Sequence, residues 1–148
     1  MTATMSAHPE LHARIEASFV RQGMMQHLGA RLVSVAPGEV EIALPYSERV
    51  TQQQGGYHGG AMGALADIAA GYAGLTMAAE GQEVTTVEYK INFLAAFQGG
   101  ELRARGHVVR AGKRLIITTA EVVHLDDDGG ESPCALMQQT LATVNKTY

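Results

Sequence analysis

Cysteine is almost missing from this sequence: Cys134 stands alone among 148 residues. No intrachain disulfide can form and no thiolate metal cage can be assembled, and a lone thiol fits a reducing, cytoplasmic location, which is the expectation here. Cationic clusters are scarce too. The net charge is -4, and the largest gathering of bases is Arg110, Lys113 and Arg114, too small to track a nucleic-acid duplex but enough for one phosphorylated ligand. The opening run MTATMSAHPELHARIE has no basic head followed by an apolar stretch, so no signal peptide is read there. His8, His12, His27, His107 and His124 show no paired ligand spacing, and no metal is expected. The run Asp126–Asp128 lacks the rest of a calcium loop. There is no G-x-S-x-G elbow and no Gly-Lys-Ser/Thr phosphate loop, and neither an internal repeat nor a linker.

What is present is the material of one folded domain. The chain is 46% hydrophobic and 18% charged, an ordinary globular balance, and its length suits a single domain spanning 1–148, with residues 1–9 read as a loose tail. Leu11, Ile15, Phe19, Met24 and Met25 recur at broadly helical spacing, predicting an amphipathic helix from Leu11 to Leu28 that Gly29 ends. Arg31–Ala36 and Glu39–Leu44 read as strands joined at Pro37-Gly38. A polar loop, Ser47–Tyr57, leads into a long run of small residues, Gly59–Ala79. Strands are then predicted at Val84–Ala95, Glu101–Arg110, Arg114–Leu125 and Cys134–Val144.

The Gly59–Ala79 segment has the look of a membrane span, yet Asp67 sits at its middle, at a cost of roughly 2.5–3.5 kcal/mol on insertion scales. A buried core helix is the better reading. Its small apolar residues lie on nearly every side, so it must be covered all round. The order helix, two strands, long helix, four strands is not a βαβ alternation. It predicts an α+β domain with a curved, mainly antiparallel sheet wrapped around the central helix.

Between Arg49 and Glu80 the only formally charged residue is Asp67. An unpaired buried carboxylate is expensive and aspartate is a poor mid-helix residue, so a local rule is broken, as happens at functional sites. The plainer alternative is a structural Asp bonded to an amide or a tyrosine. His58-Gly59-Gly60 opens the same helix, where glycine admits a ligand and free N–H groups favour negative charge; such donors would face an oxyanion. Eight residues separate Gly59 from Asp67, about 12 Å along a helix axis. One reacting carbonyl cannot touch both, so if both serve one reaction they come from two chains, most simply a two-fold dimer with two equivalent sites.

The run QQQGGYHGGAMGALADIAAGYAG, followed by VTTVEYKINFLAAFQGGELRARGHVVRAGKRL, resembles the hot-dog-fold acyl-CoA thioesterases, in particular the phenylacetyl-CoA-type branch. The resemblance runs from Gly29 to the C-terminus. It implies hydrolysis of a coenzyme A thioester, without a cofactor, with Asp67 in the place of the family's catalytic carboxylate, nucleophile or general base. Gly59 matches the residue whose amide polarises the carbonyl, and His58 holds that loop. Gln52 falls where the family positions water or carbonyl with Asn or Gln; many members have Asn there, and Gln53 and Gln54 are the fallback assignments. Thr86 falls where a hydroxyl often lies near the carboxylate, although strict alternation groups it with Glu88, Lys90 and Asn92, opposite Val87, Tyr89, Ile91 and Phe93.

A thioester suits this equipment, because its thiolate leaves readily and no strong acid is needed. The acyl group expected is aromatic or medium-chain. Arg110, Lys113 and Arg114 are the candidates for the coenzyme A phosphates, although charged turn residues are often simply solvated. Dimers pairing into tetramers are open. The rival readings are a hot-dog hydratase acting on enoyl or hydroxyacyl thioesters, with His58 as a partner for the carboxylate, and a non-catalytic acyl-CoA-binding module, which has no need of a buried Asp67.

Overall fold

The computed structural model describes residues 7–148; of the tail read at 1–9, residues 1–6 lie outside them. Helix α1 spans Pro9–Phe19, with proline at its first turn, where a missing N–H costs nothing. It buries Ile15 and Phe19. The single helix expected from Leu11 to Leu28 is two. The Arg21 and Gln22 amides bond back to the carbonyls of Ser18 and Phe19, the backbone opens at Gln22, and α2 runs Gly23–Leu28 before Gly29 closes it at φ 81°. The reason is visible in the spacing. The positions that would extend the Leu11, Ile15, Phe19 stripe are Gln22 and Gly23, so nothing apolar holds a continuous rod against the core there.

Strands β1 (Arg31–Ala36) and β2 (Glu39–Pro45) follow, then a 3-10 turn at Glu48–Val50, helix α3 (Gly59–Leu75), and strands β3 (Gln82–Phe93), β4 (Glu101–Ala111), β5 (Leu115–Leu125) and β6 (Glu131–Asn145). The six strands form one sheet in the order β1-β2-β4-β5-β6-β3, every neighbouring pair antiparallel. The sheet wraps α3, which packs against β2, β3, β4, β5 and β6. This is the α+β hot-dog architecture. Helix α3 ends four residues earlier than expected, and β6 begins before Cys134. Pro133 is accommodated there by a register shift against Val122 and Val123, since proline cannot give a ladder N–H.

The register explains the core. Val40, Gly106, Ala120, Met137 and Ile91 are successive partners across five strands and face α3. Glu41, Arg105, Glu121, Leu136 and Asn92 form the next rung and face away. Small residues let helix and sheet meet closely: a Cβ on Gly106 would overlap the main chain of Ala69 and Ala70, and one on Gly74 would overlap Leu141. Larger side chains fill the remaining space, with Ile42, Leu44, Leu65, Leu102, Ile116 and Leu141 almost fully buried.

Candidate active site

Asp67 lies midway along α3, half-buried, on the flank that faces the start of β3 and the middle of β6. Thr86 Oγ1 donates to its Oδ1 at 2.7 Å. The amide nitrogen of Gln139, on β6, donates to the same Oδ1 and lies 3.3 Å from the Asp67 carbonyl oxygen. Gln139 is 1% exposed. Its Oε1 accepts from Thr118 Oγ1 on β5 at 2.8 Å, and Thr118 is itself fully buried. Among the described residues no ion pair reaches Asp67 and no hydrogen bond falls on its Oδ2. Neutral donors therefore hold one oxygen of a carboxylate whose other oxygen takes no hydrogen bond among the described residues.

The position of Thr86 corrects the simple alternation. Thr86 pairs with Leu141 and Glu88 with Thr140, so Val87 is an extra residue in the ladder. This bulge turns Thr86 onto the helix-facing side, which it shares with Tyr89 and Ile91, the partners of Gln139 and Met137, and with Phe93, rather than with Glu88, Lys90 and Asn92.

Asp67 and Thr86 open into a cavity of about 390 Å³ whose walls combine apolar residues, among them Ile68, Leu75, Val84 and Leu141, with the charged Arg21 and Glu83. Burial raises the Tyr72 phenol above its usual range, opposed by hydrogen bonds to Ser18 and Gln22. A larger hollow, about 740 Å³, lies across the outer side of the sheet around Glu41, Arg105 and Glu121. Its acidic groups already have basic partners: Glu41 and Glu121 with Arg105, Glu39 with His107. The smaller cavity is therefore the candidate site: Asp67 forms no ion pair among the described residues, although Arg21 also lines that cavity.

His58, Gly59 and Gln52 gather at the other end of α3. His58 is the N-cap, its Nδ1 accepting from Gly60 N–H at 2.7 Å. That bond leaves the imidazole proton on Nε2 and makes His58 a helix cap first. The Gly59 N–H has no partner among the described residues, as befits the first turn of a helix. Gln52 sits in the tight turn before it: its amide donates to the Gly56 carbonyl at 2.9 Å and its side-chain oxygen accepts from Gln54 N–H. Gln53 and Gln54 are exposed.

This loop is firmly seated. Tyr57 N–H donates to the Phe97 carbonyl at 3.0 Å, its hydroxyl to that of Gly100 at 3.2 Å, and Phe97 stacks on His124 at 4.6 Å. Burial, first, and then Glu101 hold the Tyr57 phenol well above its usual range, so it stays a neutral donor.

The structure thus brings Asp67 and Thr86 into contact, and separately sets His58 and Gly59 at the start of α3, with Gln52 in the turn before them. Arg110, Lys113 and Arg114 lie exposed at the β4–β5 turn, and none of them lines the cavity beside Asp67. Cys134 is fully buried, and burial pushes its thiol up to about 11, the behaviour of a packing residue rather than a nucleophile. Sequence reasoning missed Gln139 and Thr118. A signal existed, since Met137 and Leu141 flank Gln139 on the core face of β6, but the adjacent Gln138 disguised which of the two glutamines points inward.

Comparison with known proteins gives a consistent picture. Residues 54–131 match the model of the thioesterase superfamily. The chain is 31% identical to the 1,4-dihydroxy-2-naphthoyl-CoA hydrolase of Listeria monocytogenes, over 84% of this chain and 98% of that protein. It is 30% identical to the proofreading thioesterase EntH of Klebsiella pneumoniae, over 72% and 76%. A crystal structure of a thioesterase family protein from Silicibacter pomeroyi superposes with a TM-score of 0.88 at 37% identity, over 92% of this chain and 99% of that one. With the family model covering more than half of the sequence and the wrapped-sheet fold shared, the chain belongs to the thioesterase superfamily, hydrolases that act on thioester bonds.

Proposed function

We propose that this protein hydrolyses acyl-coenzyme A esters carrying an aromatic or medium-length acyl group. The observation that carries the reading is Asp67: a carboxylate in an apolar helix, held on one oxygen by neutral donors and without a hydrogen bond on the other among the described residues, lining a cavity. Oδ2 attacks the thioester carbonyl, or takes a proton from the water that does. The developing oxyanion needs a donor, and the unpartnered Gly59 N–H at a helix N-terminus is one. The released thiolate is stable enough to leave without a strong acid, so His58 is free to cap the helix, and Gln52, in the turn before it, is the proposed group for orienting water or carbonyl. Arg110, Lys113 and Arg114 remain the candidates for the phosphates of coenzyme A.

The two halves of this equipment meet only between chains. Gly59 and Asp67 lie about 12 Å apart along α3. Strand β3 runs beside the helix in the opposite sense: the Phe93 ring lies against Gly59, the Tyr89 hydroxyl against Gly63, and Thr86 bonds Asp67. This strand is an edge of the sheet, twelve residues long, with Val87, Tyr89 and Phe93 exposed. Such an edge is a template for another strand. Pairing with a second β3 about a two-fold axis near Lys90 lays Thr86 of one chain beside Phe93 of the other, and so sets Asp67 close to the partner's Gly59. Both sites of the dimer are completed by the same operation.

The test is thiol release from a panel of acyl-coenzyme A esters by wild type and Asp67→Asn. A loss of at least about 10²-fold in kcat is expected for the variant. Equal rates would remove Asp67 from the chemistry. Loss or gain of enoyl absorbance without thiol release would instead favour the hydratase, and tight binding with no turnover the binding module.

A further inference from the structure

Resting on the reading of Asp67 just given, we propose that Gln139, oriented by Thr118, is a positioning residue that decides which oxygen of Asp67 reacts. Gln139 is a buried primary amide with two different ends. Its oxygen faces Thr118 Oγ1 at 2.8 Å. The Thr118 hydroxyl, fully buried, donates to that oxygen and anchors the amide plane, while the Asp67 carboxylate, which can only accept, sets its sense. The nitrogen end, which can only donate, is turned to Asp67, reaching Oδ1, with the carbonyl oxygen of Asp67 at 3.3 Å and Thr86 Oγ1 also at 3.3 Å. Reversed, the amide would set its own oxygen against the carboxylate.

The consequence for the carboxylate follows from where the donors fall. Oδ1 takes both Gln139 and Thr86, while Oδ2 takes neither. The side chain is thus held by donors on two elements, Thr86 on β3 and Gln139 on β6, the latter backed by Thr118 on β5, and Oδ2 is the oxygen that takes no hydrogen bond among the described residues. No cation takes part, so the carboxylate is held without being neutralised. The site needs a buried polar pair inside an otherwise apolar sheet face, where Ile116, Ala120, Met137 and Leu141 are the near neighbours along β5 and β6. Burying two polar side chains there is tolerated only because each satisfies the other, and nothing in the packing of α3 calls for them except Asp67.

Four variants test this: Thr118→Val, which keeps shape and removes the hydroxyl, Thr118→Ser, which keeps the hydroxyl, Gln139→Leu, and Asp67→Asn as the reference. The readouts are kcat and KM for the best acyl-coenzyme A substrate, with thermal unfolding in parallel. Thr118→Val is expected to lower kcat about 10-fold and Gln139→Leu about 10²-fold, with KM within about twofold, because misplacing a reacting group costs on that scale. Thr118→Ser is expected to restore wild-type kcat. Two results overturn the proposal while leaving Asp67 catalytic: full kcat in Thr118→Val, or equal losses in the Val and Ser variants. The Thr118 pair decides the matter even if Gln139→Leu fails to fold. Activity surviving in Asp67→Asn would overturn both this proposal and the reading beneath it.

Discussion

Gly59 is the residue at which the proposed chemistry can be tested without touching a side chain. It occupies the first position of α3, its N–H bonds to nothing among the described residues, and His58 before it is extended at φ -70°, ψ 133°. Those are the conditions under which proline is accepted: a helical first position and an extended residue before it. The Gly59→Pro ring would press on the Phe93 ring, against which even a Cβ would stand 3.2 Å away; Phe93 is 53% exposed in the single chain but lies at the proposed β3 seam, so the oligomeric state of the variant is measured beside its kcat. The variant should therefore fold with little loss of thermal stability, while deleting one oxyanion donor. Removing such a donor costs about 10²–10³-fold in kcat. A Gly59→Pro enzyme with unchanged kcat would show that the carbonyl is polarised elsewhere.

At the scale of elements, the contact between α3 and β4 sets how close the central helix lies to the sheet, and Gly106 sets the contact. A methyl group there would meet the backbone of Ala69 and Ala70, atoms that cannot rotate aside. Gly106→Ala is expected to destabilise the fold by about 3 kcal/mol, at the upper end of the overpacking range, measured as a lower urea midpoint with an unchanged slope. Gly71, one turn beyond Asp67, is the contrast. Nothing lies within 4 Å of a Cβ there, so Gly71→Ala should add about 1 kcal/mol through helix propensity. It would also narrow the cavity that Gly71 lines, and bulky acyl groups should be the first substrates lost.

These elements also show what the sequence could and could not reveal. The sheet-on-helix plan was legible because the Ala- and Gly-rich run from Gly59 can be stable only when covered on every side, and Asp67 was legible because it is the one charge in that run. The break at Gln22 left a trace, since Gln22 and Gly23 interrupt the apolar stripe, but Met24 and Met25 beyond them disguised it, and the bond from the Gln22 side chain to the Tyr72 hydroxyl at 2.8 Å is a tertiary contact. The bulge at Val87 left none: it is a slip of one position that exists where Thr86 meets Asp67, and periodicity carries no marker for it. Gln139 stayed hidden for a related reason, since its role depends on a partner 72 residues away.

For the whole molecule, the decisive question is whether one chain can complete a site alone. If the two halves come from different chains, the defects of Asp67→Asn and Gly59→Pro are complementary. A mixed dimer places the intact Gly59 of one chain against the intact Asp67 of the other, giving one fully competent site and one that has lost both groups. After subunit exchange of an equal mixture, half of the dimers are mixed and each carries one good site of two. Activity should then rise from nearly nothing to about a quarter of wild type. The rise should follow the kinetics of exchange and disappear in any variant whose exposed β3 edge no longer pairs. A mixture no more active than its separate components would mean that each chain completes its own site. The 12 Å between the amide and the carboxylate would then have to be spanned within one subunit, and a different donor would have to be found beside Asp67.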